Sequence, residues 1–154
     1  MKMLTTRNGE LAAEMVRSSG HAWMWVSGTS MVPAVRPGDL ILVEHTPAAK
    51  VSRGEIVVFA RGGRLIAHRV VDAIGNPRAQ YLLTRGDRAR RNDGLVSGKE
   101  LLGRVKSIER GRNRFRPDPR PNPLQRAVGL LLRSSDRATC LYLRLTALWQ
   151  ERLK

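Results

Sequence analysis

Gly54-Glu55-Ile56-Val57-Val58-Phe59-Ala60-Arg61-Gly62-Gly63-Arg64-Leu65-Ile66-Ala67-His68-Arg69-Val70-Val71 reads as two strands, 55–61 and 64–71, joined by a tight turn. The β-branched, apolar runs on either side suit a pleated surface. Gly62-Gly63 is a connection that a right-twisted hairpin accepts, because such turns need φ > 0 at their central residues. Period-two alternation puts Ile66, His68 and Val70 on one face of the second strand. A histidine in such an apolar row is usually a hydrogen-bonded core or edge residue.

Further strands lie outward from this hairpin. Pro37-Gly38 suits a type II turn and leads into a buried strand at 40–43. The Trp- and Val-rich stretch 22–26 precedes it, and strands at 81–84 and 101–109 follow. Many short strands with few helical windows predict a mainly β fold, a curved sheet or partly closed barrel. Ahead of it, Leu11, Ala12, Met15 and Val16 recur at helical spacing, with Asn8 as a cap and Ser18-Ser19-Gly20 as the stop. After Glu109 the composition changes: residues 110–126 hold six arginines and four of the eight prolines. The alternation Pro117-x-Pro119-x-Pro121-x-Pro123 admits neither helix nor ladder strand. The expected organisation is a short helix (1–20), a β domain (21–110), an Arg/Pro-rich linker (111–122) and a basic amphipathic helical segment (123–154).

The 154 residues suffice for one domain with its own core. With 28 Lys plus Arg against 13 Asp plus Glu, the net charge is +15, which favours anionic partners. The single cysteine, Cys140, excludes an intrachain disulfide and a cysteine-based zinc site. No apolar run approaches the ~18–20 residues of a membrane span. Charges at Lys2, Arg7, Glu10, Glu14 and Arg17 interrupt any secretory h-region. The expectation is therefore a cytoplasmic protein, at most peripheral on a membrane, with no cofactor and no metal.

Three clusters carry chemistry. Val26-Ser27-Gly28-Thr29-Ser30-Met31-Val32-Pro33 follows a strand with a glycine-containing turn, which exposes a hydroxyl and its neighbouring N–H groups. His68 is a candidate base. Thr84-Arg85-Gly86-Asp87, with Asp93 beyond, supplies carboxylates that are able to fix an imidazole tautomer. Taken singly, each also reads as a turn serine, a strand histidine and a solvated Gly-Asp turn.

Their order and spacing over residues 24–106 resemble the signal peptidase I family, within the superfamily that includes LexA-type repressors. The nucleophile box resembles Gly28-Thr29-Ser30-Met31-x-Pro33 with Gly38-Asp39. The next box resembles Gly54-Glu55-Ile56-Val57-Val58-Phe59, the base box His68-Arg69-Val70-Val71, and the last Gly86-Asp87 with Asp93. Most bacterial members carry lysine where His68 stands; the ER and archaeal type carries histidine. The resemblance implies a serine endopeptidase cleaving after small residues. It implies Ser30 as nucleophile, His68 as base, Asp93 as its orienting carboxylate and Asp87 in support. It also implies Thr29 and Met31 at the oxyanion and substrate-binding turn. Gly28 departs from members with a serine there, and the Ser30 N–H is left to act alone or with the Thr29 or Ser27 hydroxyl. His21 and His45 fall in no box and are expected at the surface or at strand ends.

The implied partner is a peptide or preprotein. A self-cleaving LexA-type regulator and an inactive binding module of the same fold are the alternatives; the 29 residues before Ser30 read as one short helix, neither an anchor nor a helix-turn-helix domain. Phe115 is the only aromatic residue near the arginine clusters, so no specific nucleic-acid binding is expected. In 123–154, Asn122-Pro123 starts a helix. Arg126, Arg133, Arg137 and Arg144 form one stripe opposite Leu124, Leu131, Ala138, Tyr142 and Leu145. One helix or two stacked ones fit, facing the β domain, a second copy in a homo-oligomer, or an anionic membrane surface.

Overall fold

The computed structural model describes residues 6–76, 79–120, 122–133 and 135–152. The elements are α1 (Thr6–Ser19), β1 (His21–Trp25), β2 (Leu40–His45), a 3-10 turn (Ala48–Lys50), β3 (Ile56–Arg61), β4 (Arg64–Asn76), β5 (Ala79–Arg85), β6 (Leu95–Val96), β7 (Leu101–Arg110), β8 (Asn113–Phe115), α2 (Pro123–Leu132) and α3 (Asp136–Arg152). The strands form one antiparallel sheet in the order β1-β2-β7-β3-β4-β5-β6, with β8 added to the end of β7. β1 and β6 end the path, so the sheet is curved but not closed. Register shifts at Leu42/Val43, Val58/Phe59 and Val70/Asp72 supply the curvature, because an extra residue bends its strand.

The continuous apolar run of β3 has a plain cause. Ile56 and Val58 enter one buried cluster with α1, β1, β2 and β7, through residues such as Val16, Ala22, Ile41 and Leu102. Val57 and Phe59 enter a second, with Val70, Leu82 and Val96. A strand covered on both faces loses the polar half of its alternation. The turn falls as expected, with Arg61 opposite Arg64 and positive φ at Gly62 and Gly63. β4 runs on to Asn76, beyond the 64–71 read from sequence, because its second half pairs with β5.

Several sequence expectations need correction. Asn8 lies within α1 and does not start it. Residues 111–122 include a strand, β8, which extends the β7 ladder before the prolines stop it. Of the one or two helices expected in 123–154, the described residues form two: Asn122 Oδ1 accepts from Gln125 N (2.8 Å) to cap α2, and Ser135 Oγ accepts from Ala138 N (3.2 Å) ahead of α3. The buried side of the pair carries Gly129, Leu132 and Thr139, while Leu124 and Leu131 are 71% and 72% exposed. No helix among the described residues is long and apolar enough to cross a membrane.

Candidate active site

Ser30 sits in a turn just after β1. The turn is closed by Val32 N donating to Thr29 O and Val35 N to Met31 O. Met31, Val32 and Val35 are buried beneath it, while Ser27, Gly28 and Thr29 are exposed. The apolar residues after Ser30 thus anchor the turn and leave its hydroxyl at the surface of the fold. The return is fixed by Asp39, 2% exposed, which accepts from Arg110 Nε (2.8 Å), Arg110 Nη2 (2.7 Å) and Arg36 N (2.7 Å).

β4 carries His68 to this turn. Its Nε2 lies 2.9 Å from Ser30 Oγ, and its Nδ1 lies 2.6 Å from Asp93 Oδ2. The Phe59 ring meets the imidazole edge-on at 6.3 Å. Asp93 comes from the loop between β5 and β6. Its N–H donates to Thr84 O, and the buried Thr84 hydroxyl donates to the same Oδ2 at 2.9 Å. A carboxylate oxygen held between a hydroxyl and Nδ1–H leaves Nε2 as the acceptor facing the serine. Such a series can take a proton from a serine hydroxyl.

Gly86 is where strand and turn meet. A Cβ there would lie 3.0 Å from His68 Nε2, 3.0 Å from Ser30 O and 3.2 Å from Ser30 Cβ. Asp87 does not reach the series. It forms a two-point ion pair with Arg69 (2.8 Å at both nitrogens), and Arg69 Nη1 also donates to Gly54 O and Asp118 O. The acid next to the serine turn and the arginine next to His68 are therefore locked together. Arg88 N donates to Ser30 O (2.9 Å), and its guanidinium donates to Thr29 Oγ1 and to Leu132 O at the end of α2. Cations near helix carbonyl ends are favourable.

The expected site residues thus divide. Ser30, His68 and Asp93 are brought into one hydrogen-bonded series. Asp87 stands outside the series, paired with Arg69. The Thr29 hydroxyl is held by Arg88, and the Met31 side chain is part of the core. The Ser30 N–H takes part in no hydrogen bond among the described residues, which leaves it available to a developing oxyanion. His45 stands at a strand end, its Nδ1 2.9 Å from Leu102 O. No metal-holding group of three or more His, Cys, Asp or Glu occurs among the described residues.

Arg88 and Arg61 belong to the site's framework although no sequence motif names them, and Thr84 and Gly86, quoted only as neighbours of Asp87, belong to it as well. Arg61 donates to Asp93 O (2.8 Å) and Leu95 O (2.7 Å), holding the segment that presents Asp93, and to Glu100 Oε1 (2.8 Å). The Arg61 hydrogen bond, with help from Ser97 N–H, pulls the Glu100 carboxyl down to about 2; the same partner raises the Arg61 guanidinium. A hairpin arginine 32 residues from Asp93 gives no sequence signal of this. The threonine did, by period two: Leu82 and Thr84 share a buried face.

An antiparallel sheet that aligns a serine hydroxyl, an imidazole and a carboxylate has the makings of a peptidase fold. Residues 4–84 match the family model described as peptidase S24-like. The chain belongs to that family, and with it to the superfamily of LexA-type proteins and signal peptidases. The matched span contains Ser30 and His68 and ends before Asp87 and Asp93. No curated protein matches the chain.

Proposed function

We propose that the protein is a serine endopeptidase of the histidine-base signal peptidase type, hydrolysing an extended peptide after a small residue. The observation that carries this is the series Ser30 Oγ–His68 Nε2–Asp93, at 2.9 and 2.6 Å. Ser30 Oγ attacks the scissile carbonyl as its proton passes to His68 Nε2. Asp93 stabilises the imidazolium, and the Ser30 N–H faces the new oxyanion. His68 then delivers the proton to the leaving amine, giving an acyl-serine. A water, deprotonated by His68, attacks the ester; the proton returns to Ser30 as the acid is released.

The sheet supports an extended substrate. Among the described residues β1 pairs only with β2, and residues 64–68 of β4 pair only with β3, since β5 ends at Arg85, opposite Arg69. Both free edges lead to the site, and such edges accept a peptide as an added strand. Met24, Val26, Leu65 and Ala67, partly buried against one core cluster, give that approach an apolar floor.

A cleavage screen of leader-bearing and small-residue peptides tests the reading. Ser30→Ala and His68→Ala are each expected to abolish cleavage with the thermal melt retained. Full turnover in either purified variant would remove that residue from the mechanism. Self-cleavage is the second reading, favoured by the family match to peptidase S24-like proteins. Intact mass on incubation separates them: Ser30-dependent fragmentation at a rate independent of protein concentration marks self-cleavage.

A further inference from the structure

Arginines gather in a second place, where no residue of the Ser30–His68–Asp93 series takes part. A cavity of about 710 Å³ is bounded by the turn before β3, by β4, by β5, by the proline segment and by α2. Six arginines line it, namely Arg53, Arg69, Arg85, Arg120, Arg126 and Arg133, against one carboxylate, Asp87. That carboxylate is already committed, in its two-point pair with Arg69. Arg53, Arg85, Arg120 and Arg126 make no side-chain hydrogen bond or ion pair among the described residues. Arg133 reaches only Asp87 O, at 3.4 Å, and its Nε is buried without a hydrogen-bond partner among the described residues.

Bringing guanidinium groups together from five separate segments costs Coulomb energy unless an anion answers them. A buried N–H without an acceptor adds a cost of about 1–3 kcal/mol. Both costs fall when an anion with several oxygens enters. One carboxylate satisfies one fork and leaves the other arginines of the lining without an anionic partner among the described residues. A phosphate presents several acceptor oxygens and up to two charges, and guanidinium matches it in two-point geometry. The volume falls within the ~300–1,000 Å³ of small-molecule sites, most of which are largely apolar; the arginine lining here selects for charge. Arg126 of α2 and Arg133, its C-terminal cap residue, lie about two helical turns apart on the side that lines the cavity.

We propose that this cavity is a binding site for a phosphate-bearing ligand carrying more than one negative charge, joining the C-terminal helices to the β sheet. The phosphate belongs either to a soluble polyphosphate or to a lipid headgroup. The cavity borders the peptidase series through Pro33 and Ala34 beyond the Ser30 turn, through Arg69 next to His68 on β4, and through Asp87, which precedes the Arg88 that holds Ser30 O. Binding is read without any substrate, so the outcome is independent of the proposed cleavage.

The test uses the full chain. One arm titrates it with sodium tripolyphosphate by calorimetry; the other floats it with phosphatidylcholine vesicles with and without phosphatidylglycerol. Arg53→Gln/Arg126→Gln and Arg85→Gln/Arg120→Gln remove cavity charges. Arg91→Gln/Arg112→Gln removes the same charge from outside the cavity. Arg53, Arg120 and Arg126 are exposed and unbonded, so the thermal melts of the ligand-free variants check that each is folded. The expected result is one-to-one binding weakened at least about tenfold by either cavity pair and little changed by the outside pair. Cavity-dependent binding of tripolyphosphate assigns a soluble ligand; cavity-dependent flotation alone assigns a headgroup. No binding in either arm, or equal losses from all three pairs, overturns the proposal.

Discussion

Replacing Gly86 by alanine puts one methyl group against the two groups on which the proposed chemistry depends. The new Cβ would lie 3.0 Å from His68 Nε2, 3.0 Å from Ser30 O and 3.2 Å from Ser30 Cβ. Ordinary contact begins near 3.5 Å, so these neighbours must yield by a few tenths of an ångström. They have little room. His68 is held by Asp93 at 2.6 Å and Ser30 O by Arg88 N at 2.9 Å. The Oγ–Nε2 hydrogen bond therefore takes up the displacement. A misplacement of 1 Å costs about a hundredfold in rate, so a loss of roughly tenfold to a hundredfold in kcat is expected. The strain of overpacking is about 1–3 kcal/mol, or roughly 2–12 °C in melting temperature for a chain of this size. KM should move less than kcat, because the methyl faces the series and not the free strand edges. The assay is steady-state cleavage of a peptide from the screen, beside a thermal melt. A variant that keeps kcat within about twofold while folded would show that this close approach does not control the reacting geometry.

Asp93→Asn should lower kcat by about ten-thousandfold, because an amide donating to Nδ1 forces the tautomer whose Nε2 carries the proton; nitrogen NMR of the imidazole reads the tautomer directly, and a loss under tenfold would deny Asp93 the orienting role. Asp39→Ala strips Arg110 of its buried partner and should cost about 3–5 kcal/mol, seen as a lower urea midpoint. An unchanged midpoint would mean that water replaces the carboxylate freely. Glu100→Gln tests an acid-dependent contribution. The Glu100 carboxyl is depressed from 4.5 to about 2 by Arg61, so its contribution is fully present above 4.5 and fades as pH falls through about 2. The stability gap between wild type and variant should accordingly narrow over that window in urea titrations, and a gap constant from pH 6 to pH 2 would sink the assignment.

Local pattern by itself determined the strands, because alternation and turn chemistry are written within a few residues. The 55–61 and 64–71 hairpin, its Gly62-Gly63 turn and the Asn122-Pro123 helix start are all of this kind. Resemblance to a family, carried by the order of short boxes, brought Ser30, His68 and Asp93 together before any geometry was known. The covering of β3 on both faces was legible only as an unbroken apolar run, whose partners lie far along the chain. The tertiary structure alone decided three things. It gave Asp87 its partner, Arg69, because the resemblance assigns this aspartate a supporting place without saying which cation faces it. It chose two helices, α2 and α3, where the sequence admitted one or two, and it left Leu124 and Leu131 outward, a choice of buried face that a wide apolar arc does not make by itself. And it drew arginines from five segments to one cavity, a juxtaposition that charge composition announces only as a total, because Coulomb energy depends on distances that the chain acquires by folding.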